Sequence, residues 1–197
     1  VAARALAGRL DAVRRYLKRA ARTAEAEDVH QLRVWARRAD AALRLYADLL
    51  PPRRAKWLRR WLRRLRRAAG RVRDSDVFAR RVSGPLDEWP VRLQADRRRG
   101  HRRVRRLADR LDDGRRLKRR TRKLVDRLGK THADSNGRFG ERARYSLRPL
   151  ADSFFAAVPD AAADDTALHK FRIRGKELRY AMELLAGAFP PAFRDEL

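Results

Sequence analysis

Cysteine is absent from the 197 residues, which excludes disulfides and thiolate metal sites and leaves the redox compartment open. Methionine occurs once. No apolar run approaches the ~20 residues that a membrane span needs. The opening stretch VAARALAGRLDAVRRYLKRA breaks its apolar pattern with charge throughout and lacks the apolar middle of a secretory signal. The expectation is a soluble, cytoplasmic protein with no membrane span. Strand-like alternation is missing everywhere. Aromatics make up 8% of the chain and sit mainly on apolar stripes, which argues against stacking on single-stranded bases. Acids are scarce: 25 Asp plus Glu stand against 52 Lys plus Arg, a net charge of +27.

What is present is enough to fold. Hydrophobic residues make up 44%, which separates this chain from a charged disordered tail. A folded molecule this basic repels itself, so an anionic partner is expected to offset the repulsion. Nucleic acid, an anionic membrane and a polymeric phosphate all qualify. Most of the cations are Arg, whose planar fork of donors fits phosphate oxygens two at a time.

The apolar period is helical nearly throughout, and the fold class expected is all-α: antiparallel helical bundles with short connections. Helices are predicted over 3–21, 28–50, 54–69, 90–111, 115–128, 139–158 and 166–188, with Gly70 bending the third into a short continuation over 71–82. Pro51-Pro52 and Pro190-Pro191 each end a helix. GKTHADSNG, within 129–138, is the most linker-like stretch.

Two decapeptides share one skeleton: VHQLRVWARR from Val29 and LHKFRIRGKE from Leu168. Each follows an amphipathic helix and an acidic stretch expected to cap the next one. Each cassette helix ends in a Pro-Pro pair. Advancing about 100° per residue, His30, Arg33, Arg37 and Arg44 fall in one strip, and His169, Arg172, Lys176 and Arg179 form the same strip in the second copy. Apolar residues bracket both strips. Leu32, Ala39, Leu43 and Tyr46 lie on one flank of the first, and Val34, Ala41 and Leu45 on the other. In copy two the flanks are Phe171, Leu178 and Met182, then Ile173, Tyr180 and Leu184. A helix with two apolar flanks packs against two neighbours, so its polar strip should face a groove between them. Cations held there need partners. Asp40 and Glu183 could pair with some of them, and an exogenous polyanion with the rest. Ringed by Arg, each imidazole should favour its neutral form and gain a proton when an anion arrives. Anion binding should then tighten as pH falls from about 8 to about 6.

Other chemistry is weakly represented. LGKTH contains the tail of a phosphate-binding loop, but Leu124 stands where that motif needs Gly. The four histidines show no metal-ligand spacing, and neither a metal nor a cofactor is expected. Asp112/Asp113 and Asp164/Asp165 read as turn and helix-cap acids. Asp74 and Asp76 read as acids that hold Arg73 or another nearby Arg in place. The Arg-rich faces over 53–67 and 97–106 read as solvated surface, with Trp57 and Trp61 opposite the first in the core. No helix-turn-helix signature is evident. Salt-sensitive, incidental nucleic-acid binding is still expected at this net charge.

VHQLRVWARRADAALRLY, AAGRVRDSDVF and LHKFRIRGKELRYAMELL together resemble the CHAD domain, the conserved-histidine α-helical domain, over most of the chain. The resemblance implies two related helical bundles around a positively charged central groove or pore. It also implies binding of long-chain inorganic polyphosphate, and recruitment to polyphosphate granules in prokaryotes. Residues 1–197 are then one CHAD domain, with repeat one about 1–134 and a shortened repeat two about 139–197. The polyphosphate-binding set expected is His30, Arg33, Arg37, Arg44, His169, Arg172, Lys176 and Arg179, with Arg73 reaching the same groove from the next helix. No catalytic residue is expected. Two departures stand out. Ala39-Asp40 replaces the second Leu-Arg usual after the first cassette, and no counterpart of RDSDVF follows the second.

Overall fold

The structure is a computed structural model that describes residues 2–82, 91–110, 115–130, 139–160 and 164–194. Among them the chain is all-helical, without strands. Its helices are α1 (Ala2–Thr23), α2 (Ala26–Leu45), α3 (Pro52–Val82), α4 (Val91–Asp109), α5 (Arg115–Lys130), α6 (Phe139–Phe155), α7 (Asp165–Leu184) and α8 (Pro191–Arg194). Short 3₁₀ turns, Ala47–Leu49 and Ala186–Ala188, follow α2 and α7.

α1 carries the deepest stripe. Leu6, Leu10, Val13 and Leu17 are fully or almost fully buried, because α1 packs on α2, α4 and α5 at once. α2 adds Val29, Leu32, Ala36, Ala39 and Leu43, and α3 adds Leu58, Leu62, Leu65, Ala69 and Val72. Leu117, Leu124 and Leu128 of α5 complete the same cluster. Burying one such Leu contributes about 1.5–3 kcal/mol relative to leaving it exposed. α2 is thus held between α1 and α3, while its outer side meets α7, which packs also on α6. Trp61 is buried, and Trp57 is half-buried against the core. No helix among the described residues is long and apolar enough to cross a membrane.

Several local expectations change. Gly70 does not divide α3, which runs on through it as one 31-residue helix. The second predicted helix stops at Leu45, where the chain tightens into the 3₁₀ turn before Pro51. The acidic stretch before α2 does not cap it. Its N-cap is Glu25, which makes no side-chain cap bond, while Asp28 is buried inside the first turn and pairs with Arg19 of α1 at 2.8 Å. Before α7 the cap is as expected: Asp164 accepts a hydrogen bond from the Ala167 amide at 2.7 Å. Of the expected linker, Gly129 and Lys130 belong to α5, and 131–138 lie outside the described residues. So do Asp112 and Asp113.

Candidate functional site

α2 carries the first cassette and α7 the second, and these two helices pack on each other. Two ion pairs cross between them. Arg38 Nε lies 3.1 Å from Glu183 Oε2, and Arg44 Nη1 lies 2.8 Å from Glu177 Oε1. The contact carries the two basic strips with it. His30, Arg33 and Arg37 are half-buried along α2, whereas His169, Arg172, Lys176 and Arg179 are exposed along α7. Arg73 is half-buried on α3.

The charges act on one another. The Arg33 guanidinium is held below its usual pKa, first by burial, then by Arg37, with Arg73 and Arg66 adding to the effect and Asp74 opposing it. Its place is made by the backbone: a Cβ on Gly70 would stand 2.7 Å from Arg33 Nη1, so glycine leaves the slot that this side chain fills. On α7, the Lys176 ammonium is also lowered, first by partial desolvation, then by Arg37 of α2, then by Arg172 and Arg179 of its own helix. Among the described residues, Arg33, Arg37, Arg73, Arg172 and Lys176 have no carboxylate at ion-pairing distance.

Carboxylates hold other members of the set. Asp40 is buried and sits among three guanidiniums: Arg44 at 3.2 Å, Arg59 at 3.4 Å and Arg66 at 3.5 Å. Arg44 is therefore shared between Asp40 and Glu177. Arg179 lies 3.9 Å from Glu183. The acid that interrupts the first strip gathers cations from α2 and α3 rather than removing one.

Arg66 is a member that sequence reasoning missed. It falls within the Arg-rich face over 53–67 that reads as solvated, yet it is half-buried, and burial lowers its pKa ahead of the opposing effect of Asp40 and the further lowering by Arg37, Arg44 and Arg63. The available signal was its register: Arg66 follows the buried Leu62, and precedes Gly70, by about one turn. Arg97 likewise belongs inside. It donates to buried Asp76 at 2.8 Å and to the Ala24 carbonyl at 2.8 Å. Asp76 thus holds an Arg from α4, not Arg73.

A separate cavity of about 330 Å³ lies between α3 and α5, lined by Arg54, Trp57, Arg119, Arg120 and Lys123. Arg120 stacks there over the Trp57 ring at 3.9 Å. It does not involve the cassettes.

A family model described as the CHAD domain matches residues 4–197. Among solved structures, the crystal structure of the CHAD domain from the plant Ricinus communis aligns with a TM-score of 0.66 at 24% identity, covering 93% of this chain. This chain spans 63% of the length of that one. No curated protein matches the chain. Two His-x-apolar-Arg helices packed side by side in an all-α fold agree with a match that runs almost from end to end, and the chain belongs to the CHAD domain family.

Proposed function

We propose that the chain binds long-chain inorganic polyphosphate without turning it over, along the cations that α2, α3 and α7 bring together. One observation carries the reading: the two cassette helices pack on each other, joined by Arg38–Glu183 and Arg44–Glu177, and Arg37 of the first strip acts on Lys176 of the second. Cations that depress one another's pKa are each relieved by a multivalent anion laid across them. CHAD family membership supports the same ligand. In this reading Arg33, Arg37, Arg66 and Arg73 take phosphate oxygens on one side, and Arg172, Lys176 and Arg179 on the other. His30 and His169 add donors at the head of each strip. Arg44 exchanges its carboxylates for phosphate. The two strips would then be related by a pseudo-two-fold axis across one basic groove.

The second reading is binding of nucleic acid or an anionic membrane by net charge. The exposed Arg102, Arg103, Arg105 and Arg106 of α4, far from the cassettes in sequence, favour it. Titration of labelled long-chain polyphosphate at about 0.3 M salt separates the two, because contacts made by net charge alone fade there. Charge-assisted contacts are worth about 1.5–3 kcal/mol each. Arg33→Ala with Arg172→Ala should therefore weaken binding roughly 100-fold or more. Arg102→Ala with Arg105→Ala removes the same charge and should change it little. Equal losses, or duplex DNA competing as well as unlabelled polyphosphate, would transfer the binding to net charge. Phosphate released during incubation with magnesium would overturn the non-enzymatic part.

A further inference from the structure

His30 and His169 are 139 positions apart (169 − 30). The same offset turns Arg38 into Glu177 and Arg44 into Glu183. The two ion pairs across the α2–α7 contact are Arg38–Glu183 and Arg44–Glu177. Each pair therefore joins one position of the cassette helix to the other position of the other copy. That is the reciprocity of a two-fold contact, in which i meets j and j meets i. The charges do not follow the symmetry. Copy one has cations at both positions and copy two has acids at both.

We propose that this reciprocal, charge-reversed clasp selects the pairing of α2 with α7 and bars each cassette helix from pairing with its own kind. If α2 docked on α2 of a second copy in this geometry, Arg38 would face Arg44 twice. If α7 docked on α7, Glu177 would face Glu183 twice. Only the mixed pairing satisfies both contacts. The Arg38–Glu183 pair is the more sheltered, with side chains 28% and 15% exposed, while Arg44 is 48% exposed beside Glu177 at 28%. Like charges opposed at such a contact suppress the wrong partner more effectively than the right pair adds affinity.

Size follows the same logic as charge. In the register set by the two ion pairs, position 41 comes opposite position 180, at the centre of the contact. Copy one has Ala41 there and copy two has Tyr180, which is buried. Pairing like with like would leave two small methyl groups over a gap in one case and oppose two phenol rings in the other. Tyr180, Ala181 and Leu184 are the buried residues of α7. A two-fold contact with identical faces would let halves of two molecules exchange freely. The reversed charges and unequal sizes tie each half to the complementary one.

Charge exchange provides the test, read by the thermal midpoint and by solution mass from light scattering, without polyphosphate. Glu177→Arg with Glu183→Arg makes all four positions basic. Arg38→Glu with Arg44→Glu makes all four acidic. Each double variant should lose roughly 5–10 °C in thermal midpoint. The quadruple variant, with all four charges exchanged, should regain part of that loss, the rest staying lost because Arg44→Glu also takes a cation from Asp40, and should regain the solution mass of the native chain. Mixing the two double variants in equal amounts should form a one-to-one complex, since the acidic α2 of one now fits the basic α7 of the other. A quadruple variant no more stable than the doubles, or doubles as stable as the native chain, would overturn the proposal. If a double fails to fold, the quadruple variant alone decides. A native chain that binds no polyphosphate, with the clasp behaviour of the variants as expected, would fault the proposed function and leave the clasp standing.

Discussion

A methyl group at position 70 would stand 2.7 Å from Arg33 Nη1 and 3.9 Å from its Cζ, and would meet nothing else closely. The atoms in the way are the far end of a flexible side chain, so Gly70→Ala is accommodated by moving the guanidinium. Helix propensity alone favours the change by about 1 kcal/mol, because glycine is the poorer helix former. The expected outcome is a split: polyphosphate affinity falls several-fold as Arg33 leaves its slot, while the thermal midpoint holds or rises. A titration and a melt on the same protein check it, and a drop in both would mean that Gly70 serves packing instead. Asp40 shows the same dependence on neighbours. By itself it is an acid placed in a basic strip. Among Arg44, Arg59 and Arg66 it gathers cations contributed by two helices.

Between elements, α4 fastens the end of α1 to α3. Arg97 and His101 are one turn apart on α4, and each reaches a carbonyl near the C-terminal end of α1: Ala24 O at 2.8 Å and Ala21 O at 3.1 Å. These oxygens belong to the turn where a helix runs out of internal donors. Ala24 itself takes the left-handed conformation (φ 55°) as the chain turns into α2, an uncommon choice for a residue with a Cβ. Arg97 also neutralises Asp76 of α3, which is 5% exposed and whose second oxygen has no donor among the described residues. Gly100 lets the two helices approach, since a Cβ there would lie 2.9 Å from Val72 Cγ2. Arg97→Ala leaves a buried carboxylate uncompensated, which costs about 3–5 kcal/mol. The thermal midpoint should fall by roughly 6–15 °C. Adding Asp76→Ala should restore part of the loss, because the orphaned charge goes with it. A double variant no better than the single would locate the strain at Ala24 instead.

Over the whole molecule, net charge sets the long-range attraction and the depressed ammonium of Lys176 gives it a pH signature. Its pKa in the free protein is below the usual 10.5, through desolvation first and then the fields of Arg37, Arg172 and Arg179. A bound polyanion offsets those fields and raises it again, so binding takes up a proton between the two values. Affinity should fall as pH rises through that interval toward 10.5, and the slope should vanish in Lys176→Met. The stability term has the opposite sign. A folded pKa below the unfolded one means that the ammonium opposes folding at lower pH, and this opposition is lost as pH rises through the folded pKa. The difference in thermal midpoint between the native chain and Lys176→Met, followed upward from about pH 8, should therefore shift in favour of the native chain. No change in that difference would remove Lys176 from the strip's shared field.

The seven long helices, their approximate ends and the two cassettes were legible in the chain because each rests on local physics, whereas the short α8 was not foreseen. Apolar residues recur at the helical period, proline pairs lie just beyond the 3₁₀ turns that follow α2 and α7, and a strip of like charge at i, i+3 and i+7 faces one direction whatever surrounds it. Membership of an all-α family follows from the same local pattern. Tertiary structure decided which charges are met and which are left over. Arg66 and Arg97 sit on helix faces that look as polar as their neighbours do, and only the arrival of α2 against α3, and of α4 against α1, turns them inward. Gly70 reads as a hinge until Arg33 is seen to occupy its missing side chain. The charge reversal between Arg38/Arg44 and Glu177/Glu183 is present in the sequence, but it acquires meaning only when two helices 139 positions apart cross. A charge has a sign in the chain and a partner only in the fold, because pairing depends on distance through space, which helical period does not determine.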